Sequence, residues 1–132
     1  MARVLIGLVV FFNLQCAFVF LVTPDRYAGS FELSGLAGRM AVQAMGLLFV
    51  MWNVPYVVAI TNPARQIISL IEACVMQGIG LVGESILLLS LPPGHLALTQ
   101  TVQRFIGFDG AGLLLLLIAL TLVFRSRRSW RL

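Results

Sequence analysis

Four apolar runs alternate with short polar breaks along the chain, and each is close to the roughly 20 residues that a helix needs to cross a bilayer. Residues 4–22 form the first, interrupted only by Asn13, Gln15 and Cys16. It stops at Thr23-Pro24-Asp25-Arg26, because proline disfavours helix in the residue before it and the charges demand water. The second covers residues 36–60, with Ser34 as its expected N-cap and Thr61-Asn62-Pro63 as its stop. Pro55 predicts a kink in its last turns. The third covers residues 65–91 and ends at Pro92-Pro93-Gly94; the fourth covers 104–124. The pattern predicts an all-α fold: one polytopic membrane domain over residues 1–132, a four-transmembrane-helix bundle. The turn at 61–64 is short, so the second and third spans form a tight hairpin. The loops at 23–34 and 92–103 are longer and have room for a lid or short interfacial helices.

Composition sharpens this. Hydrophobic residues make up 60% of the 132 and charged residues 11%, whereas a soluble domain carries about a quarter charged. Mean hydropathy is +1.01. The net charge of +4 comes largely from the tail arginines Arg125, Arg127, Arg128 and Arg131. A basic tail after an apolar helix is a topology signal, and no basic face accompanies it, so no nucleic-acid partner is expected. With four spans both termini share a side. That side carries Arg3, Arg65 and the tail; the other carries Arg26, Arg39 and Arg104, diluted by Asp25, Glu32 and Asp109. The asymmetry predicts cytoplasmic termini, with Trp52, Tyr56 and Trp130 at the cytoplasmic interface and Tyr27 at the outer one. Cys16 and Cys74 lie inside apolar runs and read as packing residues rather than a disulfide.

Polar residues inside the spans are the candidates for function. Glu72 and Glu84 lie within the third span, where a carboxylate costs roughly 2.5–3.5 kcal/mol on insertion scales. At about 100° per residue, Arg39, Gln43, Gly46 and Asn53 share one face of the second span. Ser69, Ala73, Gln77, Gly80 and Glu84 share one face of the third. Two such stripes on consecutive antiparallel helices are expected to face each other, since lipid satisfies neither. Depth matching then pairs Arg39 with Glu84, sets Gln43 and Gln77 beneath them, and brings Asn53 level with Glu72 or Ala73. Asp109 of the fourth span lies near enough to join. Either these groups lock helix order and register, or they line a pocket for a ligand or proton, walled by aromatics such as Phe31, Phe105 or Phe108.

Other signals are weak. Gly78-x-Gly80-x-x-Gly83 imitates a dinucleotide motif but lies within a span with no preceding strand, so it reads as close helix packing. Ala37, Ala41 and Ala44 form a second small face, and Gly107, Gly110 and Gly112 surround Asp109. His95 stands alone, without metal-ligand spacing around it. No metal or cofactor is expected, and the residues leave catalytic roles unassigned.

Pro24 after the first span, Gly38-Arg39 opening the second and the Asn62-Pro63 turn resemble the layout of small DoxX-like bacterial membrane proteins. That resemblance implies four helices in a bacterial inner membrane and an association with quinone-linked redox systems. The run at 32–35 and Met-Trp-Asn-Val-Pro-Tyr at 51–56 depart from it. The leading expectation is a non-enzymatic protein whose outer-side polar cavity binds a lipid-like or small amphipathic ligand, or a partner subunit. The alternatives are a membrane enzyme or redox accessory acting on a lipid or quinone, with Glu84 as its acid–base group, and a small oligomeric transporter.

Overall fold

The computed structural model describes residues 1–129 and is all-helical over them. Helix α1 spans Ala2–Val22. A short α2, Pro24–Ala28, and a 3-10 turn, Gly29–Phe31, follow. Next come α3 (Gly35–Trp52), α4 (Val54–Thr61), α5 (Ile67–Ser90) and α6 (Leu96–Ser129). Counting α3 and α4 as one interrupted helix, four helices are long and apolar enough to cross a membrane, as the hydropathy pattern predicts. Trp130 and Arg131, assigned above to one interface and the basic tail, lie outside the described residues.

The boundaries differ where polar residues mislead. The last helix begins at Leu96, eight residues before its expected start at 104. Residues 96–103 look like loop because Thr99, Gln100, Thr101 and Gln103 are polar, but no glycine or proline interrupts them. Thr99 and Thr101 return their hydroxyls to the carbonyls of His95 and Ala97, so the helix accommodates them. Ser34 does occupy the N-cap position of α3, but its side chain makes no capping bond. The first long loop holds a short helix, α2, as its length allows.

The expected kink sits at Asn53, immediately before Val54-Pro55. Proline lacks the N–H that would continue the ladder. At the break, Asn53 donates its Nδ2 to the Phe49 carbonyl at 2.7 Å, adding to its own backbone N–H there. The break redirects the chain. Helix α3 packs on α1 and α2, whereas α4 packs on α1 and α5, and α5 and α6 form the most extensive pairing. Among the described residues α3 and α5 share little packing beyond Trp52 against Gly80. The bundle is therefore closed at the end holding the termini and split between α3 and α5 at the end holding the loops.

Lipid is as apolar as leucine, so burial of apolar surface does not drive helices together in a membrane; close approach does. Small residues provide it. Ala59, Ala73 and Ala119 are buried beside Ile6, Leu70 and Leu116, and Ala17 is buried on α1 near Gly46. At Gly46 a Cβ would stand 2.9 Å from Leu21 Cγ and 3.0 Å from the Ala17 carbonyl, so glycine there lets α3 lie against α1. Gly78 and Gly83 face open space, as does Gly107. Of the helical glycine motif, Gly80 makes the close approach. Ala37 and Ala44 are exposed rather than packed.

Candidate functional site

A chain of hydrogen bonds crosses the middle of the bundle. Trp52 Nε1 donates to Tyr56 Oη at 3.1 Å, the Tyr56 hydroxyl donates to Gln77 Oε1 at 2.7 Å, and Gln77 Nε2 donates to Asp109 Oδ1 at 2.8 Å. Tyr56 is fully buried, Gln77 nearly so, and Asp109 is 8% exposed. Each donor and acceptor is placed by a different element: Trp52 by the end of α3, Tyr56 by α4, Gln77 by α5, Asp109 by α6. The turn at Asn53 matters here, because Trp52 and Tyr56, four residues apart across it, still meet.

The α5–α6 contact depends on two glycines. A Cβ on Gly80 would collide with Asp109 Oδ2, and a Cβ on Gly112 would stand 2.8 Å from Gln77 Nε2. The carboxylate thus lies over a glycine of α5 and the carboxamide over a glycine of α6. Beside this pair, Asn13 of α1 donates to Asn53 Oδ1 at 3.5 Å, and both asparagines are buried.

These groups border a cavity of about 120 Å³ lined by Asn13, Met45, Phe49, Trp52, Gln77, Gly80, Glu84 and Asp109. It lies in the split between α3 and α5. Two carboxylates border it and, among the described residues, no arginine or histidine does. Glu84 Oε2 is enclosed and has no hydrogen-bond partner. A buried acceptor left unpaired costs about 1–3 kcal/mol, more when charged. Either a proton or a donor from outside the described chain answers it.

The expected Arg39–Glu84 pair is not formed. Arg39 instead makes two bonds to Asp25, Nε to Oδ1 at 3.1 Å and Nη2 to Oδ2 at 2.7 Å. Both side chains are more than half exposed. Asp25 lies on α2, which packs on α3, while α5 stands away from α3; the stripes do not face each other at this depth. Gln43 likewise turns to α1, donating to the Leu21 carbonyl at 3.2 Å, and is absent from the cavity. Asn53 meets Asn13 rather than the level of Glu72. Glu72 is exposed, on a groove between α4 and α5 lined by Val54, Pro55, Val58, Ile68 and Val75. Gln77, Glu84 and Asp109 are brought together; Arg39, Gln43 and Glu72 are not.

The loop-end charges form separate groups. Glu32 Oε2 lies 2.5 Å from His95 Nδ1, and Glu32 Oε1 accepts the Leu98 backbone N–H at 3.3 Å. Glu32 therefore clasps the first loop to the start of α6, from a left-handed backbone (φ 55°). The His95 hydrogen bond holds the Glu32 carboxyl below its ordinary value of 4.5, helped by the backbone N–H of Leu98.

A second cavity, about 190 Å³, lies toward the loops and is lined by Cys16, Phe20, Tyr27, Ser30, Phe31, Thr101, Arg104, Phe105 and Phe108. The anticipated aromatic walls are here, away from Glu84. Phe49, which borders the polar cavity, and Phe105, which borders this one, stack with centroids 6.1 Å apart and planes at 18°.

Gly80, on the polar face of the third span, joins the site as that face predicts; Asn13, Trp52, Tyr56 and Gly112 complete it without being singled out for it by the sequence. Asn13 had a signal, as a lone amide in mid-span. Trp52 and Tyr56 resembled interfacial aromatics, but Tyr56 is buried because Gln77 gives its hydroxyl an internal partner. No known family model, no curated protein and no solved structure matches this chain, so the resemblance to DoxX-like proteins rests on the short motifs given above.

Proposed function

We propose that the chain is a multi-pass membrane protein that binds a small amphipathic molecule through the polar cavity between α3 and α5. One observation carries this: Glu84 Oε2 is enclosed yet unpartnered, while neighbouring Gln77 and Asp109 are already engaged with each other. A network that served only to lock the helices would be complete with the Trp52–Tyr56–Gln77–Asp109 chain. Glu84 adds a costly acceptor to it without adding a bond. The ligand that suits it presents a hydrogen-bond donor, such as an ammonium or hydroxyl group, to a site with two acids and no base. At about 120 Å³ the cavity holds a head of a few heavy atoms, since a water occupies about 30 Å³. The tail would lie in the cleft between α3 and α5, against lipid.

In this proposal the end that gathers Arg3, Arg65 and Arg127 faces the cytoplasm, following the arginine asymmetry. Arg127 donates to the Ala64 carbonyl, which ties the start of the tail to the 61–64 turn. A reporter fused to the C-terminus is expected to read as cytoplasmic.

The ligand test uses Trp52, which borders the cavity, as the reporter. In a Trp130→Phe background, decylammonium added to the protein in mild detergent is expected to change Trp52 fluorescence saturably, and Glu84→Gln to weaken the effect roughly tenfold, the scale of a charge-assisted bond. An unchanged titration in Glu84→Gln would contradict the proposal. A second reading, a partner subunit, draws on Glu72: an exposed carboxylate on an apolar, lipid-facing groove is costly unless something covers it. A transporter reading draws no support from Glu72, which lies outside the polar cavity.

A further inference from the structure

We propose that the aromatic cavity at the loop end is a separate binding site for a single-ring aromatic carboxylate, with the ring held among Phe20, Phe31 and Phe105 and the carboxylate on Arg104.

The walls are built for a flat ring. Phe31 and Phe105 stack with centroids 6.0 Å apart, and Phe20 meets them edge-on at 5.9 and 6.3 Å. Aromatic faces and edges carry opposite partial charge, so an inserted ring finds both stacked and edge contacts. Size admits a ring. A cavity of about 150 Å³ accepts benzene, and this one measures about 190 Å³.

Polarity selects an anion. Arg104 borders the cavity and has no hydrogen bond or ion pair among the described residues. Asp109, five residues along the same helix, is engaged by Gln77, Glu32 by His95 and Asp25 by Arg39. A guanidinium binds a carboxylate through two parallel N–H donors. Thr101 spends its hydroxyl on the Ser30 and Ala97 carbonyls, so it stiffens the wall and leaves the charge to Arg104.

This site rests on residues other than those of the polar cavity, so its test is independent. Binding of 4-ethylbenzoate to the full-length protein in mild detergent would be measured by equilibrium dialysis against protein-free micelles. Saturable binding is expected in the wild type. Arg104→Gln, a change at an exposed position, is expected to weaken it roughly tenfold, and 4-ethylbenzamide is expected to bind the wild type about as weakly. Octanoate reports whether the pocket prefers a chain to a ring; it is expected to bind at least several-fold more weakly than 4-ethylbenzoate. No binding above micelles, equal binding by Arg104→Gln, or octanoate binding as tightly as the ring would each overturn the assignment.

Discussion

Gln77 and Asp109 bond to each other at 2.8 Å across α5 and α6, and each lies over a glycine of the opposite helix, Gln77 over Gly112 and Asp109 over Gly80. This reciprocal fit joins the most extensive helix pair in the bundle to its buried polar chain. It also makes two positions that carry no side chain decisive for the site. Gly80→Ala is expected to lower stability by about 1–3 kcal/mol, the usual range for overpacking a tight contact. Gly83→Ala, one turn further along α5 and facing open space, is expected to be neutral or slightly stabilising, since alanine favours helix. Thermal unfolding of both variants in mild detergent checks this. Similar midpoints would show that the close approach at Gly80 does not exist.

Gln77→Leu strands two buried groups, the Tyr56 hydroxyl and Asp109 Oδ1. A loss of about 1–3 kcal/mol per unsatisfied group is expected. Tyr56→Phe also strands two groups, Gln77 Oε1 and the Trp52 indole N–H, but Trp52 is only half-buried, so the cost is expected to be smaller. Trp52 emission should shift in Tyr56→Phe, because its indole N–H loses its partner. The order of the two midpoints is the readout.

These predictions also mark what the sequence made legible. Hydropathy located the four long helices, and Pro55 located the kink, because both effects are local. The facing of the polar stripes was not local. Facing stripes require α3 to run straight beside α5, whereas the chain turns at Asn53 and α3 leans on α1 and α2. Arg39 therefore finds Asp25, fourteen residues away, rather than Glu84. Gln77, Glu84 and Asp109 were legible because each is costly in an apolar helix wherever its partners lie. Gly80 and Gly112 were visible as glycines, but nothing in their spacing reveals that a carboxylate and a carboxamide rest on them.

The placement of Arg39 has its own consequence. Arg39→Ala and Glu84→Gln are expected to act additively on stability, because the two residues share no partner. Arg39→Ala and Asp25→Ala are expected to be non-additive, though by little, since both side chains are exposed and water screens the pair. Double-mutant cycles on the unfolding midpoint separate the two cases. Coupling between Arg39 and Glu84 would restore the pairing that the sequence alone suggested.

The Glu32 clasp predicts a pH dependence. Its folded-state carboxyl titrates below the ordinary 4.5, so its stabilising contribution is complete above that value and is lost as pH falls through the lowered one. Glu32→Gln should therefore be less stable than the wild type near neutral pH, and the gap should close in acid below about 4.5. Unfolding midpoints measured across that range give the comparison.

Native mass spectrometry of the protein released from mild detergent is the most direct test of the central claim, that Glu84 in the cavity between α3 and α5 holds an amphipathic ligand. The wild type is expected to carry a discrete bound mass, retained under gentle activation and lost or strongly reduced in Glu84→Gln. A bare protein mass in the wild type, or the same bound mass in both, would contradict it.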